Sequence, residues 1–312
     1  MSTAGERPEW APPALNQERM RAALRSLELT VRGRLDGLLQ GNHLGLVPGP
    51  GTEPGEARPY QPGDDVRRMD WSVTARTTEP HIRETIADRE LETWVALDLS
   101  ASLDFGTAAC TKRELAIAGT AAVAHLTRGG GNRLGAVVSN GEQLTRHPAR
   151  GGGDHTRALL RRVAETPHPP EGVQGDLAAL VEALRRPPRR RGLAVVVSDF
   201  LGSVDWQRAM RGLAARHSLL AVEVVDPRDL ELPEVGEVLL SDPETGKQRE
   251  VRTTPVLRRE FAAAASAHRE RVAAELRRLG AAHLVLRTDS DWIADIVRFV
   301  VARKRGWSGG VA

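Results

Sequence analysis

Asp98, Ser100 and Ser102 stand at alternate positions in Asp98-Leu-Ser-Ala-Ser102, directly after the apolar run Trp94-Val-Ala-Leu97. One carboxylate and two hydroxyls on a single loop are hard oxygen donors. They suit Mg2+ or Mn2+ and do not suit zinc or copper. Mg2+ takes oxygens in near-octahedral array, some of them from water, so one loop cannot surround it. Asp199 closes a second apolar run, Val195-Val-Val-Ser-Asp199, and is expected at the same edge of a sheet as Asp98. In an open α/β sheet, ligands bind beyond the carboxyl ends of the strands, which is where both loops would lie. Asp176, in Gly172-Val-Gln-Gly-Asp-Leu177, is a third contributor, either as a ligand or simply as the N-cap of the helix that follows.

Other chemistries find little material. Gly-x-x-x-x-Gly-Lys-[Ser/Thr] is absent, because the stretch from Gly106 to Lys112 lacks its second glycine. Gly-x-Ser-x-Gly is absent too, which argues against an α/β-hydrolase. A haloacid-dehalogenase-like phosphatase would want a second aspartate two residues after Asp98, where Ser100 sits. The nine histidines never form His-Glu-x-x-His. The single cysteine, Cys110, excludes an internal disulfide or a cysteine-based zinc site and is expected as a small apolar residue on a helix.

Composition sets the frame for these loops. The chain has 312 residues, enough for one large α/β domain with an appendage. Hydrophobic residues make up 40% and aromatics only 4%, so alanine, leucine and valine must fill the core. The net charge of +3 comes from arginines spread along the chain without a dense basic block, so nucleic-acid binding is not expected. No apolar run reaches the length of a membrane span and the N-terminus lacks the apolar region of a secretory signal. A soluble cytoplasmic protein is expected.

From Thr93 onward, strand-like and helix-like patterns alternate. The strands expected are Trp94–Leu97, Leu134–Ser139, Ala194–Ser198, Leu219–Val225 and His283–Arg287. The helices expected are Lys112–Leu126, Thr156–Val163, Leu177–Leu184, Asp205–Arg216, Val256–Leu279 and Trp292–Val301. Such alternation implies an α/β fold: a doubly wound, mainly parallel sheet with helices on both faces. Glu237–Leu240 and Gln248–Arg252 flank Asp242-Pro-Glu-Thr-Gly246 and read as an inserted hairpin. Residues 1–13 form a disordered tail, 14–92 an N-terminal appendage with a helix over Leu15–Leu39, 93–303 the α/β domain, and 304–312 a flexible tail.

Two resemblances attach to these residues. Asp98-x-Ser-x-Ser102 is similar to the first element of the metal-ion-dependent adhesion site of von Willebrand factor type A domains, and Asp199 resembles that family's third-loop aspartate. The family's second loop supplies a threonine, but here Gly175 stands in that place, which leaves the position to water or to the substitute Thr156. The segment from Arg58 to Arg76, with Pro62-Gly-Asp-Asp65, Arg67, Asp70-Trp71 and Arg76, resembles the signature of the domain-of-unknown-function family fifty-eight. Its members resemble von Willebrand type A domains with an extra N-terminal portion. Read from the residues alone, Asp64, Asp65 and Asp70 lie among Arg67, Arg76 and other arginines and can pair with them, and Trp71 supplies an apolar anchor. That wall either holds the appendage onto the sheet or docks a partner.

A non-catalytic module for cation-dependent protein recognition follows from this reading. Ser100 and Ser102 would ligate Mg2+ or Mn2+, with Asp98 and Asp199 acting directly or through water, and a partner's acidic side chain would complete the shell. The resemblance implies the partner class, a MoxR-type AAA+ ATPase, and a role in chaperone-like assembly or maturation of other proteins. Two rivals stand beside it. A Mg2+-dependent hydrolase using Asp98 and Asp199 would need a general base that the sequence does not advertise. A metal-free scaffold would follow from the missing threonine.

Overall fold

The computed structural model describes residues 57–60, 69, 71–77, 79–83, 92–128, 132–170, 172–185 and 192–308. The expected Leu15–Leu39 helix and the signature residues Asp64, Asp65, Arg67 and Asp70 lie outside them.

Short apolar runs rich in valine become strands of a six-stranded sheet. They are β3 (Glu92–Asp98), β4 (Arg133–Ser139), β5 (Leu144–Gly151), β6 (Gly192–Ser198), β7 (Ser218–Val225) and β10 (Ala282–Arg287). Their order across the sheet is β10-β7-β6-β3-β4-β5. The first five run parallel and β5 runs antiparallel to β4. The α/β fold, with its mainly parallel sheet, is therefore the one the alternating pattern predicts. β3 and β6 are buried along almost their whole length, as strands covered on both faces must be.

Six helices supply that cover. Helices α2 (Lys112–Leu126), α3 (Gly153–Ala164) and α7 (Trp292–Ser308) pack on one face, where Leu115, Leu159 and Ile296 meet Val95, Val195 and Val222. Helices α4 (Leu177–Arg185), α5 (Trp206–Ala214) and α6 (Pro255–Arg278) pack on the other, where Leu180, Trp206 and Leu276 meet Ala96, Val196 and Ala221. Gly135 lies opposite Trp94 in the β3–β4 register, and a Cβ there would stand 2.8 Å from the indole. The glycine gives the ring its place on the sheet.

Strand β5 was not foreseen. Its residues, Leu144-Thr-Arg-His-Pro-Ala-Arg-Gly151, are mostly exposed and include a proline. An edge position accounts for both features, since Pro148 falls where the β4–β5 register shifts and no further strand needs its missing N–H. Two smaller pairings complete the description. β1 (Ala57–Pro59) pairs with β2 (His81–Arg83), with α1 (Trp71–Thr77) between them in the chain. β8 (Glu237–Ser241) and β9 (Gln248–Arg252) form the hairpin expected, a two-stranded sheet of its own. Trp71 is 71% exposed, so it is not the buried anchor that the signature segment suggests, and Arg76 is exposed on the same helix. Among the described residues no helix is long and apolar enough to cross a membrane.

Candidate functional site

The chain leaves β3 through α2 toward β4, and leaves β6 through α5 toward β7 on the opposite side. The two helices lie on opposite faces of the sheet. The β3–β6 boundary is therefore a topological switch point, where loops diverge and leave a crevice at the carboxyl edge. Asp98 ends β3, and Asp199 follows β6, whose Val197 pairs in register with Leu97. Both acids thus reach the same rim from neighbouring strands.

Their surroundings differ. Asp98 Oδ1 accepts the Ser100 N–H at 3.0 Å, and Oδ2 accepts the Ser198 hydroxyl at 2.8 Å. Burial, and then the nearby Asp199 charge, push the Asp98 carboxyl above the ordinary aspartate range despite these bonds. Asp199 Oδ1 accepts the Leu201 N–H at 3.2 Å, and Oδ2 accepts Lys112 Nζ at 2.9 Å. Phe200, the next residue, is held at φ +55°, a left-handed conformation costing on the order of 1 kcal/mol or more for a bulky side chain. Its ring packs edge-on against Trp206 at 5.3 Å, and His268 Nε2 hydrogen-bonds with its carbonyl at 2.9 Å. This packing fixes the turn that aims Asp199.

Lys112 carries no signal in the sequence beyond its place at a helix start. Thr111 and Glu114 form a capping box, which sets Lys112 as the first helical residue and turns it inward. Its ammonium is 1% exposed and bridges Asp199 and, at 3.2 Å, Asp229. Burial alone would lower this group, but the two carboxylates outweigh it and hold the ammonium above its usual range. Asp229 comes from the turn after β7, so three consecutive strands of the sheet deliver acids to one rim.

The remaining residues named from sequence separate. The Ser100 and Ser102 hydroxyls lie 3.5 Å apart, both residues buried, beside Asp98. Asp176 accepts the Ala179 N–H at 2.8 Å and caps α4, the simpler of its two expected roles. Its neighbour Gly175 does reach the site, because a Cβ there would stand 2.7 Å from Ser100 Oγ. Thr156 lies elsewhere. Strand β5 runs back toward the start of β4, where Gly151 pairs with Arg133, so the helix that follows begins at the opposite rim. The Thr156 hydroxyl bonds to the Gly152 carbonyl at 3.2 Å and cannot substitute for the missing threonine.

Glu244, at the tip of the β8–β9 hairpin, is a further carboxylate at this rim. Its Oε1 lies 3.7 Å from where a Gly175 Cβ would be. Burial, then Asp199 and Asp98, raise its carboxyl above the ordinary range. Cys110 lies apart from this chemistry, its thiol pushed up to about 11 by burial, with Glu114 and Asp226 adding to it.

The donor set is made of hard oxygens: two buried hydroxyls and carboxylates from separate loops. It fits a small cation such as Mg2+ or Mn2+ and offers nothing soft. Both Asp199 oxygens are engaged, so Asp199 would act on such an ion through water. Among the described residues, no group of three or more His, Cys, Asp or Glu is placed to hold a metal, so an ion at this rim would depend on the serine hydroxyls as well.

A mainly parallel α/β sheet with a hydroxyl-carboxylate cluster at its switch point defines the class. Residues 56–271 match the family described as "Protein of unknown function DUF58", and the chain belongs to that family. It is similar to the uncharacterized protein Rv1480 of Mycobacterium tuberculosis (strain ATCC 25618 / H37Rv), 61% identical over 296 residues that cover 95% of this chain and 93% of the relative. The uncharacterized protein Mb1516 of Mycobacterium bovis matches with the same figures. Among solved structures, BatB from Bacteroides thetaiotaomicron aligns with a TM-score of 0.41 and 15% identity, over 69% of this chain and 99% of its own. A von Willebrand factor type A protein from Catenulispora acidiphila aligns with a TM-score of 0.34 and 14% identity, over 71% of this chain and 42% of its own.

Proposed function

We propose that this chain is a non-catalytic, divalent-cation-dependent protein-interaction module of the cytoplasm, and that its partner is a MoxR-type AAA+ ATPase engaged in chaperone-like assembly or maturation of other proteins. One observation carries the cation reading: neighbouring parallel strands bring Asp98 and Asp199 to one rim beside the Ser100 and Ser102 hydroxyls. The partner class rests on the family resemblance.

In this reading Ser100 and Ser102 bind the ion through their hydroxyls. Asp98 supplies a carboxylate that pairs with no cationic side chain among the described residues, and the Ser198 hydroxyl and Ser100 N–H orient it. Asp199 adds charge at longer range while Lys112 holds it in place. When bound, Mg2+ or Mn2+ offers a coordination position to a glutamate or aspartate of the partner. Few unneutralised carboxylates face the ion, so it retains its attraction for another anion.

The test is retention of a purified MoxR-type ATPase on the immobilised chain. Retention is expected to be lost both in EDTA and with Asp98→Ala, the fold of the variant being checked by thermal melting. Retention indifferent to both refutes the cation-bridged mechanism.

A further inference from the structure

The hairpin tip that presents Glu244 is built rigidly. Asp242 Oδ1 accepts the Glu244 N–H at 3.0 Å and Oδ2 accepts the Thr245 hydroxyl at 2.5 Å. The Asp242 carbonyl accepts the Gly246 N–H at 2.8 Å, and Gly246 closes the turn at φ +68°. The Glu244 and Gly246 N–H groups and the Thr245 hydroxyl are thus spent on the turn itself, which carries the glutamate side chain. At the base, the N–H and hydroxyl of Thr253 bond to the Gly236 carbonyl at 2.7 and 2.8 Å. Between base and tip the strands pair only with each other, and Leu239 and Leu240 are left exposed. The hairpin is a separate arm that brings its tip back to the sheet.

Where that tip lands is informative. The point where a Gly175 Cβ would stand lies 2.7 Å from the Ser100 hydroxyl oxygen and 3.7 Å from Glu244 Oε1, so both groups converge on it, and the lack of a side chain at Gly175 allows the close approach of Ser100. The glutamate approaches a rim that already holds Asp98 and Asp199, and among the described residues the one ammonium there, Lys112, is taken by Asp199 and Asp229. Like charges drawn together without a counter-charge are unfavourable. A cation between Ser100 and Glu244 would reverse that balance.

We propose that Glu244 is the chain's own acidic occupant of the cation site, a tethered stand-in for the partner carboxylate, which the partner must displace by lifting the hairpin tip. The proposal rests on the cation reading given above. A tethered carboxylate competes at an effective concentration of roughly millimolar. The affinity for a partner is therefore reduced by the fraction of time that the tip is seated.

Mn2+ alone is the probe, titrated calorimetrically into the full chain and followed by the water-proton relaxation rate of the bound ion. Glu244→Gln keeps the shape of the tip and removes its charge. It is expected to weaken Mn2+ binding about tenfold and to raise the relaxation rate, as water enters the position that the carboxylate leaves. Asp98→Asn is the control and is expected to abolish binding. If Asp98→Asn abolishes binding but Glu244→Gln leaves the relaxation rate unchanged, the Glu244 assignment is overturned and the cation site stands. If the wild-type chain does not bind Mn2+, or binds it equally well as Asp98→Asn, the cation reading fails and the assignment falls with it.

Discussion

Lys112 Nζ lies 2.9 Å from Asp199 Oδ2, with both side chains almost completely buried. A lysine at a helix start is electrostatically unfavourable by itself, because the positive end of the helix dipole lies there. Asp199 and Asp229 overcome that cost, and Lys112 in turn supplies the counter-charge for two strand-end acids at a crowded rim. A Lys112→Met substitution would leave both carboxylates buried without a counter-charge. It is expected to destabilise the fold by about 3–5 kcal/mol, read from urea unfolding at neutral pH. A loss under 1 kcal/mol would show that the pair does not hold the rim together.

Asp98 has the opposite character, since no cationic side chain among the described residues pairs with it. Its folded-state pKa is raised above the ordinary value of 3.8 by burial and then by Asp199. The native state therefore holds this proton more tightly than the unfolded chain does. The linked stability is greatest at low pH and falls as pH climbs above 3.8, until the raised folded value is passed. Asp98→Asn removes that dependence and still accepts the Ser100 N–H. In chelator, the variant is expected to be more stable than the wild type at pH 7, with the gap closing toward pH 4. A wild type that is the more stable form at pH 7 in chelator would contradict this account.

Gly175 occupies the place where the resembling family carries threonine, and restoring the threonine is an obvious repair. The geometry argues against it. A Cβ at this position would meet Ser100 Cβ and Oγ at 2.7 Å, closer than real contacts allow. Gly175→Thr is expected to lose about 1–3 kcal/mol of stability and to weaken Mn2+ binding by displacing Ser100. Tighter Mn2+ binding in this variant would mean that the loops adjust freely.

Much of this was legible before any coordinates. The apolar runs and helical periods lie in contiguous sequence, so they announce β3, β6, β7 and their helices directly. Strand β5 escaped because an exposed edge strand with a proline needs no apolar pattern. The direction of that strand then decided the fate of Thr156. A residue close in sequence to a site can be carried to the far rim by one antiparallel step, and no local pattern encodes that step.

The sequence by itself determined the α/β fold, the family, and the set of oxygen donors that the Asp98 loop carries, because residue type and strand ending are local properties. Only the tertiary structure decided which groups share the rim with Asp98. Lys112, Asp229 and Glu244 arrive from a helix start, a turn and a hairpin tip, each brought there by sheet order and register. Charge balance at a buried site is a sum over neighbours in space, and those neighbours are set by packing rather than by spacing along the chain.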